Sequence, residues 1–536
     1  MRADLVAGVT VGIVALPLAL AFGVSAGVGP APGLITAVVA GIVAAVFGGS
    51  RVQVSGPTGA MAVVLAPIVA VHGPGAVPLV AILAGALVLL AGAARLGRVV
   101  TFIPWPVVEG FTLGIATIIF LQQVPAAVGV HAPIGGNPLV VAFHSVTHAG
   151  PTVGWALGTV AVVAVVMLGL PKVMPALPAS LVAVVLVTTV AQLAHAPLAR
   201  IGTLPDSLPL PALPHVDLGL LRALVGPAVA VAALAAIESL LSARVAAAMP
   251  GASGTDDDAR RYDPDRELVG QGLASIASGA FGGMPATGAI ARTAVNVRAG
   301  ARTRLSAVTH SVVILAVIYL ATGAVSAIPL AALAGVLMVT ATRMVSVAAV
   351  RAVLSSTRAD ALVLVVTAVI TIAVDLIEAV QIGLLVAAFF ALRSVSRATS
   401  VHREPLPGPA HPGDERIALY RLDGAMFFGA ADRIGAQIRT STDALVVVLR
   451  LSQLRLVDAT GAHALAELVA DLELAGVTVL VKGVQPQHLQ LLTRVGVLDE
   501  LRHENHLFED LEPALAHARS HVARSTAAQV PAVPGY

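Results

Sequence analysis

The sequence predicts an α-helical membrane protein of fourteen spans, built as a seven-plus-seven inverted repeat with two half-helices, followed by a cytoplasmic α/β domain. Three observations carry that prediction. Of 536 residues, 57% are apolar and 12% charged, whereas a soluble domain spends about 25% on charge, so much of the surface must face lipid. The apolar sequence comes in repeated runs of the ~20 residues that cross a bilayer. Two short segments interrupted by Gly and Pro fall at matching positions in the two halves, as paired transporter repeats require.

Composition also excludes classes of function. The formal net charge is +2 and Lys occurs only at Lys172 and Lys482, so nothing points to nucleic acid. The absence of Cys removes disulfides, thiolate metal sites and Cys nucleophiles. No His/Asp/Glu metal constellation and no Gly-x-Ser-x-Gly motif marks an enzyme, so neither a cofactor nor a resident metal is expected. Met1-Arg2-Ala3-Asp4 leads straight into an apolar segment, which reads as the first span rather than a cleaved signal.

Fourteen apolar segments begin near Leu5, Gly33, Pro57, Ala76, Thr101, Thr152, Ala179, Leu218, Glu267, Ala286, Leu305, Leu330, Ala359 and Leu376, those near Pro57 and Ala286 being short. They fill a transmembrane domain over 1–395. A Pro-rich linker over 396–413, with Glu404-Pro405-Leu406-Pro407-Gly408-Pro409 at its centre, leads to a domain of ordinary charge density over 414–521. The small-residue tail 522–536 is expected to be disordered.

Basic residues orient the spans, because Lys and Arg in short loops favour the cytoplasmic side. With the N-terminus inside, the internal loops carry Arg51, Arg95, Arg98, Lys172, Arg244, Arg260, Arg261, Arg266, Arg298, Arg302, Arg304, Arg343, Arg351 and Arg358; the external loops offer little beyond Arg200. An even span count puts both termini in the cytoplasm of a bacterial inner membrane.

Gly56-Pro57-Thr58-Gly59-Ala60-Met61 resembles Met284-Pro285-Ala286-Thr287-Gly288-Ala289-Ile290. An odd number of spans per half inverts the second copy. A half-helix starting at mid-membrane leaves its first N–H groups without intrahelical partners, and its dipole places about half a positive charge there. Two such N-termini facing each other attract an anion without a lysine, and the small residues Thr58, Gly59, Ala60, Gly288 and Ala289 let an oxyanion reach the backbone. The bland alternative is that Pro and Gly merely kink two packed helices.

Arg292 falls about one turn into the second short helix, where a bare Arg costs about 2.5 to 3.5 kcal/mol to insert. A bound anion offsets that cost; the structural alternative is an ion pair with Glu238 or Glu109. Glu238 lies in the apolar stretch Ala232–Leu241 and is the candidate coupling acid, since a carboxyl group in a low-dielectric cleft can exchange a proton during the cycle. Ser242, one turn on, is placed to bond the acid or to share a sodium ion with it. His310, on an apolar stretch, reads as a packed helix residue.

These motifs together resemble the sulfate permease (SulP) family. The resemblance rests on Asp4–Thr10 with Leu16-Pro17, on Gly48–Gly59, on Phe102–Val107 with Gly110-Phe111-Thr112, on Glu238–Ser242 and on Pro285–Asn296. It implies a core domain and a gate domain moving in an elevator-like cycle, a homodimer, and a substrate site formed by Phe22, by Thr58, Gly59, Ala60, Met61 and Ala62, and by Thr287, Gly288, Ala289, Ile290, Ala291 and Arg292. It also gives Glu238 the coupling role, leaning toward protons because sodium-coupled members typically carry Asp there. Leu18 stands where many sulfate-transporting relatives have Gln, and Ala291 where many eukaryotic members have Ser, so sulfate specificity is not inherited.

The C-terminal domain resembles the STAS domain. Ile417–Gly424, Ala444–Leu451 and Val477–Val481 read as strands, and a helix follows Asp458-Ala459-Thr460-Gly461. Ala459 occupies the position of the phosphorylatable Ser of soluble antagonists. Asp458, Ala459 and Thr460 are therefore the candidate regulatory residues, for a cytoplasmic partner or a nucleotide, with a plain helix cap as the simpler reading. The expected function is secondary transport of a small inorganic or carboxylic anion, such as bicarbonate, sulfate, chloride or a dicarboxylate, coupled to H+ or Na+. The alternatives are a nucleobase-type permease of the same fold and a membrane-anchored signalling protein that does not transport.

Overall fold

Apolar runs become helices in this protein, and Pro stands both at helix starts, as at Pro30 and Pro264, and inside helices, as at Pro17 and Pro227. The computed structural model describes residues 1–98, 103–130, 136–174, 177–204, 207–212, 214, 217–249, 262–374, 376–398, 400–427, 431–440 and 444–529. Thr101, Phe102, Arg260 and Arg261, named above, lie outside them. The chain divides into the units Met1–Leu385 and Val386–Tyr536.

The first half holds α1 (Arg2–Ser25), α2 (Pro30–Phe47), α3 (Gly59–His72), α4 (Val77–Ala93), α5 (Trp105–Ala127), α6 (Pro138–Thr147), α7 (Val153–Val173) and α8 (Ala179–Leu193). The second holds α9 (Leu218–Ala248), α10 (Pro264–Ala280), α11 (Ile290–Arg298), α12 (Leu305–Leu320), α13 (Thr322–Ser326), α14 (Leu330–Met344), α15 (Val347–Ser356), α16 (Arg358–Ala373) and α17 (Leu376–Ala398). Every expected apolar segment thus contains a helix, and the expected short ones are the 14-residue α3 and the nine-residue α11. Helices α6, α13 and α15 are additional to the fourteen expected segments. Among the described residues, seven helical stretches are by themselves long and apolar enough to cross a membrane.

Pro30 and Pro264 sit in the first turns of α2 and α10, where a missing N–H is harmless. The helices pack in two groups. Helices α1 to α4 and α9 to α12 surround one another, with α4 and α10 in especially close contact; α5, α7, α14 and α16 form the second group. Small residues permit the α4–α10 approach, since a Cβ at Gly272 would lie 2.6 Å from Leu89 N and 2.7 Å from Gly85 O.

In the C-terminal unit, β3 (Ser400–Glu404), β4 (Ile417–Met426), β5 (Val446–Val457), β6 (Thr478–Lys482) and β7 (Leu507–Phe508) form one sheet in chain order. β3 pairs antiparallel with β4, and the remaining pairs are parallel. Helices α18 (Ala431–Thr440), α19 (Ala459–Leu474), α20 (Pro486–Arg494) and α21 (Leu511–Gln529) accompany it. Period-two alternation splits the core: Ile417, Leu419, Val446 and Val448 join Ala514, Leu515, Ala518 and Val522 of α21, while Ala418, Tyr420, Val447 and Leu449 join Leu465, Leu468 and Leu472 of α19.

Two expected boundaries are corrected. The linker placed at 396–413 begins inside α17 and contains β3, because Val401 is buried against the sheet. The tail placed at 522–536 begins inside α21, which runs to Gln529 because Val522 is a core residue; residues 530–536 lie outside the described part.

Candidate functional site

Two irregular segments, one between α2 and α3 and one between α10 and α11, meet within the first helix group. β1 and β2 of this unit are two-residue strands, Ser55–Gly56 and Thr287–Gly288, paired antiparallel with Ser55 opposite Gly288 and Gly56 opposite Thr287. This pairing supplies hydrogen-bond partners that lipid cannot provide. Ala289 N donates to Val54 O at 2.9 Å, Val54 N to Thr293 Oγ1 at 3.0 Å and Gly288 N to Ser239 Oγ at 3.0 Å. A Cβ at Gly288 would lie 1.7 Å from Gln53 Nε2, so this position excludes a side chain.

Each strand leads into a short helix. Thr58 caps α3, its Oγ1 accepting from Met61 N at 3.4 Å, whereas Ala289 at the start of α11 has no side-chain oxygen to offer. Gly59 and Ala60 in α3, and Ile290, Ala291 and Arg292 in α11, accordingly keep N–H groups without hydrogen-bond partners among the described residues. Ala291 is exposed and Ile290 half-buried; Thr58, Ala60, Met61, Ala62, Thr287 and Ala289 are buried. Phe22 packs beside α3, its ring 3.2 Å from where a Gly59 Cβ would stand. All the sequence-predicted anion residues therefore belong to one region.

Arg292 is 2% exposed. Its Nη2 donates to the Pro57 carbonyl oxygen of the opposite repeat, and its Nη1 has no partner. Among the described residues no ion pair within 4.0 Å joins it to Glu238 or Glu109; Glu109 instead accepts from Trp105 Nε1 at 2.9 Å. Glu238 lies close enough to act on Arg292 by charge, without a direct ion pair.

Glu238 is half-buried, and its Oε2 accepts from Thr58 Oγ1 and Thr287 Oγ1, each at 2.9 Å. The two threonine oxygens are 3.0 Å apart. One carboxylate oxygen thus touches both half-helix entrances. Ser242 does not join this cluster, contrary to expectation; its hydroxyl donates to Thr293 Oγ1 at 3.4 Å. His310 is fully buried, as expected, with Nδ1 3.4 Å from Ser311 Oγ and Nε2 unpartnered.

Several supporting residues escaped the sequence reading. Glu267 Oε2 accepts from Gly49 N and Ser50 N, each at 2.9 Å, and Oε1 from Gln271 Nε2 at 3.0 Å, with Gln271 also donating to Ser55 Oγ. This network fixes the entry to β1. Asn296 Nδ2 donates to Val52 O at 2.8 Å. Gln53 is buried with both side-chain polar atoms unpartnered. Signals existed only for Gln53 and Asn296, which lie within the recognised motifs.

In the C-terminal unit, Asp458 Oδ1 accepts from Gly461 N at 2.7 Å, a plain helix cap, while Ala459 and Thr460 are exposed on the first turn of α19.

A model of the sulfate permease family matches residues 1–367, and one of the STAS domain matches 409–514. The chain belongs to the sulfate permease family. The putative sulfate transporter YvdB of Bacillus subtilis is 34% identical over 520 residues, which cover 94% of this chain and 96% of that protein. The bicarbonate transporter BicA of a Picosynechococcus species is 30% identical, with 88% and 86% covered. Murine Slc26a9, an anion transporter solved in the inward-facing state, shares the fold with a TM-score of 0.84 at 16% identity, over 97% of this chain and 92% of that one. The transmembrane domain of a cyanobacterial BicA gives a TM-score of 0.60 at 31% identity, over 72% and 97%. This sulfate permease family member is accordingly an integral membrane protein of an anion-transporter family, with a C-terminal STAS domain.

Proposed function

We propose that the protein carries a small oxyanion across the bacterial inner membrane in symport with a proton, through an elevator-like movement of the first helix group against the second. The observation that carries this reading is the convergence of five unpartnered backbone N–H groups, those of Gly59, Ala60, Ile290, Ala291 and Arg292, with the unpartnered Arg292 Nη1. Gly59, Ala60 and Arg292 are buried, and buried donors normally have partners. An anion would satisfy these donors and also offset the charge of the guanidinium.

Glu238 is the coupling acid in this reading. Its Oε2 and the two threonine hydroxyls form a triangle of oxygens 2.9, 2.9 and 3.0 Å apart. With the acid ionised, two hydroxyl protons serve three contacts. A third proton, on Glu238, completes the ring and removes the negative charge beside the anion, so proton and anion favour each other's binding. Between the two groups lies a cavity of about 860 Å³, lined by Val63 and Val64 of α3, Ile118 and Gln122 of α5 and Pro227 and Ala230 of α9. A gap there fits two bodies that slide. The fourteen-span count, the cytoplasmic placement of both termini and a homodimeric assembly belong to the same reading.

The test is uptake by proteoliposomes of bicarbonate, sulfate, chloride and fumarate, with and without imposed pH or sodium gradients. Saturable uptake of one oxyanion, raised by an inward proton gradient, is expected. Stimulation by sodium alone would replace the proton, and no flux of any anion would overturn the reading.

A further inference from the structure

Three imidazoles meet in the C-terminal unit, away from the residues discussed so far. His517 and His521 lie one turn apart on α21, and His506 comes from the 3₁₀ turn Glu504–His506 that precedes β7. The Nε2 atoms of His517 and His521 are 3.2 Å apart. One ring nitrogen from each of the three residues lies within 4.8 Å of the other two. The ring centroid of His506 stands 5.4 Å from that of His517 and 5.3 Å from that of His521.

Ring packing accounts for these contacts but leaves one feature unexplained. His506 is 1% exposed, and apart from a long contact with the Val479 backbone neither of its nitrogens has a hydrogen-bond partner. A buried polar side chain ordinarily finds one. Two cations stand near His521, each with a hydrogen-bond partner of its own: Arg502 pairs with Glu473 at 3.0 Å, and Arg524 Nε donates to Ser520 O at 3.3 Å.

We propose that His506, His517 and His521 bind a divalent transition-metal ion, best fitted by zinc, with the fourth coordination position left to water. Tetrahedral zinc with Zn–N bonds of about 2.0–2.1 Å holds its ligand nitrogens roughly 3.3–3.4 Å apart, close to the 3.2 Å already separating His517 and His521. The ring nitrogen of His506, within 4.8 Å of the other two, would have to close to the same spacing on binding. Imidazole suits zinc, copper and nickel, and the chain has no Cys to compete. The ion would pin α21 to the edge of the sheet at β7, adding a second fastening to the contacts of Ala514, Leu515, Ala518 and Val522. Because folding assembles the site, binding would also stabilise the folded domain.

The test uses full-length protein in detergent, free of any polyhistidine tag and stripped with a chelator. Cobalt(II) is titrated while its visible absorption is followed, and zinc is then used to displace it. Expected are one equivalent of cobalt with tetrahedral absorption, at least tenfold weaker binding in His517→Ala and in His521→Gln, and a zinc-dependent rise in thermal stability that both variants lose. His144→Ala, which removes one ring of the stacked pair formed with His148, is expected to bind as the unmodified protein does. The proposal is overturned if the unmodified protein shows no saturable one-equivalent binding, or if the His517 and His521 variants, still folded by circular dichroism, bind cobalt undiminished.

Discussion

The N-terminus of α19 and those of α3 and α11 follow the same local plan, a strand turning into a helix, yet they are finished differently. At α19, Asp458 places a carboxylate oxygen 2.7 Å from Gly461 N, answering both the free donor and the dipole in a half-buried setting. At α3 a hydroxyl caps one N–H group, and at α11 Ala289 caps none. Arg292 adds buried positive charge on the third residue of α11. In the proposed reading, a helix start serves as an anion site when its cap is withheld, its surroundings are small and its backbone is fixed from the side. The β1–β2 pairing and Glu267 provide that fixing here.

Restoring the missing cap gives the largest expected effect. Ala289→Asp would put at α11 the carboxylate that α19 already has, and like-charge contact costs several kcal/mol. Anion affinity should fall by about a hundredfold, ~3 kcal/mol, with normal elution on size-exclusion chromatography; undiminished affinity would remove the N-terminus of α11 from the site. Next, Glu238→Gln should abolish proton-driven accumulation, which for one-proton symport reaches about tenfold per pH unit. Passive exchange should persist. Retained dependence on the pH gradient would move coupling to another group.

Smaller effects are expected in the C-terminal unit. Asp458→Ala should cost about 1 kcal/mol of domain stability in denaturant melts while leaving saturating uptake unchanged, because that cap serves structure. Asp414→Asn should cost roughly 0.5–1 kcal/mol. It removes the bidentate partner of Arg519, whose Nε and Nη2 donate to the Asp414 oxygens at 2.8 and 3.0 Å. Arg519 holds the Asp414 carboxyl below its ordinary range. The stabilisation is therefore complete above the unfolded value of about 3.9 and fades as pH falls through the lowered folded value. Melts of the variant and the unmodified protein should converge in strong acid and separate near neutrality.

Sequence patterns reveal features repeated along the chain. The apolar segments, the two short helices and the isolated charges Arg292 and Glu238 are local signals, and each appears where expected. Contacts across the repeats carry no such signal. Thr58 and Thr287 reach Glu238 from 180 and 49 residues away, and Glu267 reaches Gly49 across 218. Ser242 has the right helical spacing to meet Glu238 yet bonds to Thr293, because α11 supplies a nearer oxygen. His506 joins His517 and His521 only once β7 and α21 have packed. Low complexity at the C-terminus suggested disorder, but burial of Val522 carries α21 to Gln529.

The central claim is that Arg292, whose Nη2 is held by the Pro57 carbonyl oxygen, offers its free Nη1 to a bound anion. Its most direct test is concentration-dependent uptake by proteoliposomes of the unmodified protein, Arg292→Lys and Arg292→Ala, each verified as folded. The account predicts that Arg292→Ala loses saturable uptake and that Arg292→Lys, which keeps the charge, recovers part of it at a higher half-saturating concentration. Saturable uptake by Arg292→Ala at the unmodified half-saturating concentration would contradict it.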